Sequence, residues 1–445
     1  MNPATDRANL HAFVTELAFD DLPRDVVAQA QRCLLDLIGV AAAGSRTPLA
    51  HIVVRHAATQ LASVERGARI LFDGRVASAA GAAFAGASTI DAFDAHDGHV
   101  LTKGHAGVAV LPALLAYVDA GMGPSMQGRE LITALVVGYE VATRAGISLH
   151  SSVADYHCSG AWNALAAAAV GCRLLRLDQR QMQHALGIAE YLGPRGQMLR
   201  VCASPTMLKD GSGWGAHAGV TAALLAQDGF TGAPALTTMR GEGPPLWDDL
   251  RERWRICEQY FKPYPVCRWA QPAIEAALAL RSTHAFDTDG IAGITVETFR
   301  EAIVLAAESG YPRTTEEAQY SLAYPIAAAL ALGRLGAEEV SPSMFDDARL
   351  KRLASLVRMT DDAAFSRAFP AQRWARLRIA LSDGRSIESE PAFARGGAES
   401  PLSDDMLRAK YHALADPIVG LERALFIAQR VDELAAESAA LPSLL

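Results

Sequence analysis

The sequence predicts a mostly α protein, with a large all-helical domain over 1–262 and 403–445 and a smaller α+β domain over 263–402. Three observations predict it. Apolar residues recur at helical spacing in one block after another as far as Gln227. Half of the 445 residues are hydrophobic but only 7% are aromatic, so the core must be built from Ala, Leu and Val, a composition that suits closely packed helices. Strand-type alternation is confined to the second half, at 291–299 and in a hairpin about the turn Asp383-Gly384. The length also exceeds the roughly 250–300 residues at which single cores stop growing.

Taken in order, Asp6 is placed to cap a first helix ending near Leu17. Pro23 opens a longer one, PRDVVAQAQRCLLDLIGVAAAG, in which Val26, Val27, Ala30, Cys33, Leu34, Ile38 and Ala41 keep helical spacing until Gly44 stops it. Asp36 interrupts that apolar run and reads equally as an exposed helix residue or a buried carboxylate. A helix over 48–61 leads into ARILFDG, a small hairpin arm, and an alanine-rich helix covers 79–86. Further helical periods cover 128–149, 158–177, 179–191 and 216–227, broken at Pro194 with Gly196 and again at Gly211, Gly213 and Gly215. From Gly232 to Pro265 prolines and aromatics replace periodicity, which marks a crossover into the second domain. There 291–299 alternates as a strand, 321–335 is helix, and 374–379 with 386–390 flank the hairpin turn. The tail over 402–439 is helical, with Ser403 and Asp404 available as caps, and returns to the first domain.

The chain is organised around 88–117, STIDAFDAHDGHVLTKGHAGVAVLPALLAY, which sets Asp91, Asp94, His96, Asp97, His99, Thr102, Lys103 and His105 between two apolar helical runs. Capping a helix takes one Asp or Ser. So many ionisable groups are costly to desolvate without a compensating role, and the stretch therefore reads as a site. His157, in DYHCSGAWNALAAAAVG, precedes a helix N-terminus where Ser159 and Gly160 would let a carboxylate approach the amides; a capping or core histidine is the plainer reading. Lys209, in SPTMLKDGSGWGAH, can point inward as a cation or lie in solvent. Lys262, Tyr264 and Arg268 fall at the domain junction, where clefts form. Tyr324, in EEAQYSLAYPIAAAL, sits on a helix of the smaller domain, where a lone Tyr is ordinarily core.

Other classes fall away. The net charge is −8 with no run of Lys or Arg to track phosphates, so nucleic acid is not an expected partner. No uninterrupted apolar stretch reaches the ~18–20 residues of a membrane span, and MNPATDRANL lacks a basic region followed by an apolar core. The six cysteines form no CxxC pair, which fits free thiols in a reducing, cytoplasmic setting. The glycines near 213 follow no strand and miss the GxGxxG spacing, so NAD binding is set aside. There is no HExxH helix, and His96 with His99 lies in a loop of unconstrained geometry, so acid–base work by His and Asp fits better than a metal.

The motifs HAGVAVLPALLA, HCSGAWNALAAAA, KPYPVCRWAQPAIEAA and EEAQYSLAYPIAAAL, in this order, resemble the MmgE/PrpD family, and the likeness runs from the LLDLIGVAAAGS helix to the hairpin around Asp383. The resemblance implies a helical domain with a smaller α+β lid, a homodimer, and a cofactor-independent site in the cleft between domains. It places the family's motif positions at Asp94, His105, His157, Lys209 and Tyr324. Two departures stand out. An Asp-aromatic-Asp-Asp run is replaced by Asp94-Ala95-His96-Asp97, and a His common after the KPYP-like segment is Gln271, which points to a divergent substrate.

The chemistry implied is removal of a proton alpha to a carboxylate, which needs a base and cations to hold the enediolate charge. His157 or Asp94 is the expected base and His105 and Tyr324 the expected acids or hydrogen-bond partners. His96, Thr102, Lys103, Ser159, Lys262, Arg268 and Gln271 are the expected substrate contacts, with Lys103, Lys209 and Arg268 neutralising carboxylates. The expected function is a lyase of the 2-methylcitrate dehydratase type acting on a small di- or tricarboxylate. Epimerisation of an iminodisuccinate-like acid and decarboxylation of a cis-aconitate-like acid are its alternatives, with a non-catalytic carboxylate binder and a metal-dependent hydrolase as readings from other classes.

Overall fold

A computed structural model describes residues 3–239, 246–307 and 309–436. The first half is a pile of helices, and its centre is Gly160–Leu174, GAWNALAAAAVGCRL, which packs against Gly128–Ser152 on one side and Ser212–Gln227 on the other. Small side chains make this possible. A Cβ added at Gly215 would stand 2.8 Å from the Gly160 Cα, so these helices meet backbone to backbone, a contact that bulky or aromatic side chains would prevent. Arg24–Gly44 and Gly128–Ser152 are long and apolar enough to cross a membrane by length and composition. Here 72% and 94% of their most apolar windows are buried inside the fold, so both are core helices.

The first helix is Pro3–Glu16, so Asp6 lies within it and not ahead of it. Ala68–Arg69 and Val76–Ala77 form the small antiparallel arm. In the second half the order of the main sheet is Val357–Asp361, Ile291–Thr298, Trp374–Leu381, Ser386–Glu388, and Ala392–Phe393 also pairs with Trp374–Leu381. Ile291–Thr298 runs parallel to Val357–Asp361 and antiparallel to Trp374–Leu381. Ala375, Leu377, Ile379 and Leu381 alternate inward, where Gln271–Thr283 covers them. The strand at Val357–Asp361, VRMTD, and the helix Gln271–Thr283 carry no clear period and were not expected.

The expected helix over 321–335 is shorter, Ala323–Leu332, ended by Gly333 in the left-handed region (φ 69°). The expected tail helix is two helices, Asp404–Val419 and Leu421–Glu433, divided at Gly420; positions beyond 436 lie outside the described residues. Ser403 caps the first by accepting a bond from the Met406 N–H at 3.2 Å. Asp404–Val419 packs on Arg24–Gly44, which brings the tail back to the helical half. That contact settles Asp36: its carboxylate is buried and bonded to Lys410 Nζ at 2.5 Å.

Candidate active site

The loop between the helices Ala79–Asp91 and Gly107–Asp119 is held from several sides. Gly98 and Tyr260 exchange backbone hydrogen bonds of 3.0 and 2.7 Å, tying the loop to the crossover segment. Only glycine fits there, because a Cβ would lie 2.6 Å from the Tyr260 hydroxyl and 2.8 Å from His105 Nδ1. Gln319, at the end of the helix Thr315–Gln319, accepts bonds at Oε1 from the Asp94 N–H and from Lys209 Nζ, both at 2.7 Å, and donates from Nε2 to the Ala92 carbonyl at 3.1 Å. Lys103 (φ 50°) and Lys209 (φ 48°) both adopt left-handed backbone, a strained conformation that persists where the surroundings over-determine it.

Around this loop lies a cavity of about 360 Å³ at the junction of the two halves. Asp94, Lys103, His105, Asp210, Tyr260 and Lys262 line it from the first half, and Arg268, Arg300, Leu305, Tyr320 and Phe369 from the second. Asp94 and Lys262 form a buried ion pair, and Lys262 Nζ also donates to the Asp94 carbonyl at 3.2 Å. Burial disfavours the charge on Asp94, but Lys262, then Lys209 and the histidines, outweigh it and hold the carboxyl well below its usual range. Asp94 Oδ2 and His96 Nε2 have no hydrogen-bond partner among the described residues.

His105 has a defined tautomer. Its Nδ1 lies 2.5 Å from the Asp97 carbonyl oxygen, which only accepts, so Nδ1 carries the proton. Burial, with His96 and Lys262 nearby, holds the ring pKa well below its usual value, so the ring is neutral at pH 7. Nε2 is therefore a bare lone pair, 3.9 Å from Asp94 Oδ1 and 3.8 Å from Asp210 Oδ2. The Asp210 carboxyl is pushed up to about 7 by burial and by the charge of Asp91. It accepts from the Ser159 N–H at 3.2 Å and from the Ser159 hydroxyl. The helix N-terminus that the sequence offers to a ligand carboxylate is thus occupied by the protein's own Asp210. The thiol of Cys267, also on the cavity wall, is pushed up to about 12 by burial and is no nucleophile near neutrality.

Not every expected residue joins this cavity. Lys209 lies just behind the wall, its ammonium 4.7 Å over the Tyr320 ring. His96 is fully buried beneath His105, ring centroids 4.1 Å apart, and burial and Lys262 lower its pKa to about 3. Thr102 donates to the loop carbonyls of His99 and Gly104. Arg268 lines the cavity, but its Nη groups bond the carbonyls of Ala394 and Arg395 and its guanidinium stacks on Tyr260 at 4.3 Å, so the donors expected to meet a carboxylate are engaged with backbone. Gln271 donates to the Tyr264 and Val266 carbonyls, at 2.9 and 2.8 Å, inside the fold.

Two expected catalytic residues lie elsewhere. The His157 backbone pairs with Gln197 and donates to His150 Nε2 at 3.3 Å, away from the cavity lining. Tyr324 donates its hydroxyl to the Glu339 carbonyl and packs edge-on against Tyr311 and Phe345 in the core of the α+β part. Of these two tyrosines it is Tyr320 that lines the cavity, because the helix breaks between Gln319 and Ala323 and the two hydroxyls part company. Asp210 and Gln319 were also missed, although each adjoins a residue or motif the sequence singles out.

Asp94, His96 and His105 offer ligand atoms within 4.8 Å of one another, a spacing a metal ion could use. The donor set suits a cation poorly: the Asp94 carboxylate is already held by one ammonium, and a second, Lys209, lies close by. The same arrangement suits an anion.

Fold and cavity together define a class: a helical unit and an α+β unit with a charged cavity at their junction. The chain belongs to the MmgE/PrpD family, whose N-terminal domain matches residues 8–243 and whose C-terminal domain matches residues 264–434. It is 25% identical over 448 residues to the cis-aconitate decarboxylase-like protein oryM of Aspergillus oryzae, spanning 94% of this chain and 92% of that protein. It is 25% identical over 451 residues to a cis-aconitate decarboxylase of Aspergillus terreus, spanning 92% and 89%. Against the cis-aconitate decarboxylase of Mus musculus the identity is 24% over 446 residues, spanning 94% and 89%.

Proposed function

We propose that this protein is a lyase that transfers a proton at the carbon alpha to a carboxylate of a small di- or tricarboxylate. The observation that carries the reading is His105 Nε2, a bare base facing a cavity that also holds the Lys262 ammonium and a carboxyl, Asp210, that titrates near neutrality. Lys262 gives two of its three N–H donors to Asp94 and keeps one, and Lys103 lines the same space, so substrate carboxylates have cations to meet. With one carboxylate so held, His105 takes or returns the alpha proton. Asp210 in its protonated form donates to the leaving or developing charge, and Asp94 stays ionised to keep Lys262 in place.

The group beside the carbanion decides what leaves. The activity named for the relatives favours loss of carbon dioxide from a cis-aconitate-like acid, ahead of the loss of water from a 2-methylcitrate-like acid that the sequence favours. The test is incubation with a panel of such acids in deuterated water, followed by NMR. Deuterium at an alpha carbon, with product, is expected, and His105→Gln is expected to lower it about a hundredfold or more at unchanged melting temperature. Tight binding of an acid without exchange would instead make the protein a carboxylate binder.

A further inference from the structure

His105 faces the cavity with Nε2 and is held from behind. Its backbone N–H donates to the Ser159 hydroxyl at 2.9 Å, and its carbonyl accepts from Asn163 Nδ2 at 3.3 Å. The ring is fixed through Nδ1 by the Asp97 carbonyl, so whatever holds Asp97 still also decides which ring nitrogen carries the proton. The pairing of Gly98 with Tyr260 secures the chain just beyond Asp97. The Asp97 side chain is secured by Tyr139.

Tyr139 lies on the helix Gly128–Ser152, away from the cavity lining, and its hydroxyl donates to Asp97 Oδ2. Both side chains are fully buried, and Asp97 Oδ1 has no hydrogen-bond partner among the described residues. Burial pushes the Asp97 carboxyl up to about 7, against the pull of the Tyr139 hydroxyl. A phenol donates to a neutral or an ionised carboxyl, so the contact persists on either side of that pH. The same hydroxyl also presses on the other side of the histidine. A Cβ at Gly107, which begins the next helix two residues past His105, would stand 2.0 Å from the Tyr139 oxygen. Tyr139 therefore touches the chain at 97 and at 107 without reaching the cavity. A carboxyl and a phenol are costly to desolvate, and an apolar pair of similar shape would fill the space as well. What the polar pair adds is direction: the bond fixes where the Asp97 side chain points, and with it the Asp97 peptide.

Resting on the reading of His105 as the base, we propose that Tyr139 is a positioning residue, whose bond to Asp97 holds the carbonyl that keeps the His105 proton on Nδ1 and the Nε2 lone pair toward the cavity. Without that bond the two imidazole tautomers compete, and the fraction protonated on Nε2 offers substrate no base.

The test follows the kinetics of Tyr139→Phe and the nitrogen NMR spectrum of its histidine rings, on full-length protein carrying isotope-labelled histidine. The His105 signals are identified by their loss in His105→Gln. In the unaltered protein Nδ1 should be protonated and Nε2 bare. In Tyr139→Phe the Nε2 signal should move toward the protonated position, and kcat should fall about tenfold or more with KM within about twofold. A purely structural role would lower the melting temperature and leave the ring signals in place. A kcat within about twofold of the unaltered protein's, or a fall in kcat with the His105 signals unmoved, overturns the proposal. Should Tyr139→Phe not fold, Asp97→Leu/Tyr139→Phe, which leaves no orphaned carboxyl, takes its place with the same expected and overturning results. If the unaltered protein turns over no acid, the lyase reading fails, and the ring spectrum alone decides whether Tyr139 sets the His105 tautomer.

Discussion

The molecule buries two carboxylate–ammonium pairs whose lysines both reach the loop at Asp94 and Ala95, and they differ in what surrounds them. Asp94–Lys262 faces the cavity, while Asp36–Lys410 is sealed between the helices Arg24–Gly44 and Asp404–Val419. Lys262 donates to the Asp94 carbonyl and Lys410 to the Ala95 carbonyl at 2.6 Å, so two lysines from distant segments grip consecutive carbonyls. Around Asp94 further cations outweigh burial, and its carboxyl is held low while the Lys262 ammonium is held high. Around Asp36 burial wins: its carboxyl is pushed up, and the Lys410 ammonium is pushed down. The first pair is a fixed set of charges for a ligand to meet; the second is a buried fastening for the C-terminal helix.

Removing one lysine at a time breaks the comparison most sharply. Lys262→Met takes away both the partner of Asp94 and a cavity cation, so turnover should fall by about a hundredfold or more, with a stability loss of about 3 kcal/mol. Lys410→Met leaves Asp94 and His105 their partners. It should cost a similar stability, while the kcat/KM of the folded protein falls by less than about tenfold. Denaturant melts and kinetics on both variants test this, and equal activity losses would erase the distinction. Asp36→Leu/Lys410→Met should then recover at least about half of the stability lost in the single variant, since an apolar pair can replace a buried ion pair.

A smaller effect separates the two regions by pH. Asp210, with a folded pKa of about 7 against an ordinary 3.8, is protonated below neutrality and loses its proton as pH rises. If its protonated form is the working one, kcat/KM descends above pH 7, approaching tenfold per unit, and Asp210→Asn flattens that limb. The linkage has a definite sign. A raised carboxyl pKa contributes stability that is present below about pH 4 and lost as pH rises through 7, so the stability of Asp210→Asn relative to the unaltered protein should increase from pH 5 to pH 8. A pH–rate profile with thermal melts at the same pH values reads both.

The helical half was legible because its large apolar residues recur at helical spacing, as from Val26 to Ile38 with the end at Gly44, even though every residue from Cys33 to Gly44 is buried. VRMTD at 357–361 was not, because an edge strand with one buried residue leaves almost no alternation to read. The density of charge in 88–117 pointed to a stretch that borders a cavity, which Asp94, Lys103, His105, Lys262 and Arg268 line together. Which polar residues would turn inward was set by the tertiary path and not by local pattern. His157 and Gln271 spend their backbone or amide groups on neighbouring segments, and Asp210, read only as part of the loop after Lys209, fills a helix N-terminus from across the fold.

Tyr320 and Tyr324 restate the comparison at the smallest scale, four residues apart. On an unbroken helix they would share a face. The break at Ser321 and Leu322 leaves Tyr320 on the cavity, where burial and the Asp94 charge keep its phenol protonated and able to donate, and turns Tyr324 into the α+β core. Tyr320→Phe should therefore lower kcat/KM by about tenfold at nearly unchanged stability. Tyr324→Phe should cost about 1 kcal/mol of stability, the worth of one buried hydrogen bond, and leave kcat/KM within about twofold. The reverse outcome, activity lost with Tyr324 and kept with Tyr320, would mean that the working tyrosine is the one this arrangement buries, and that the α+β part must repack over the cavity before any proton moves.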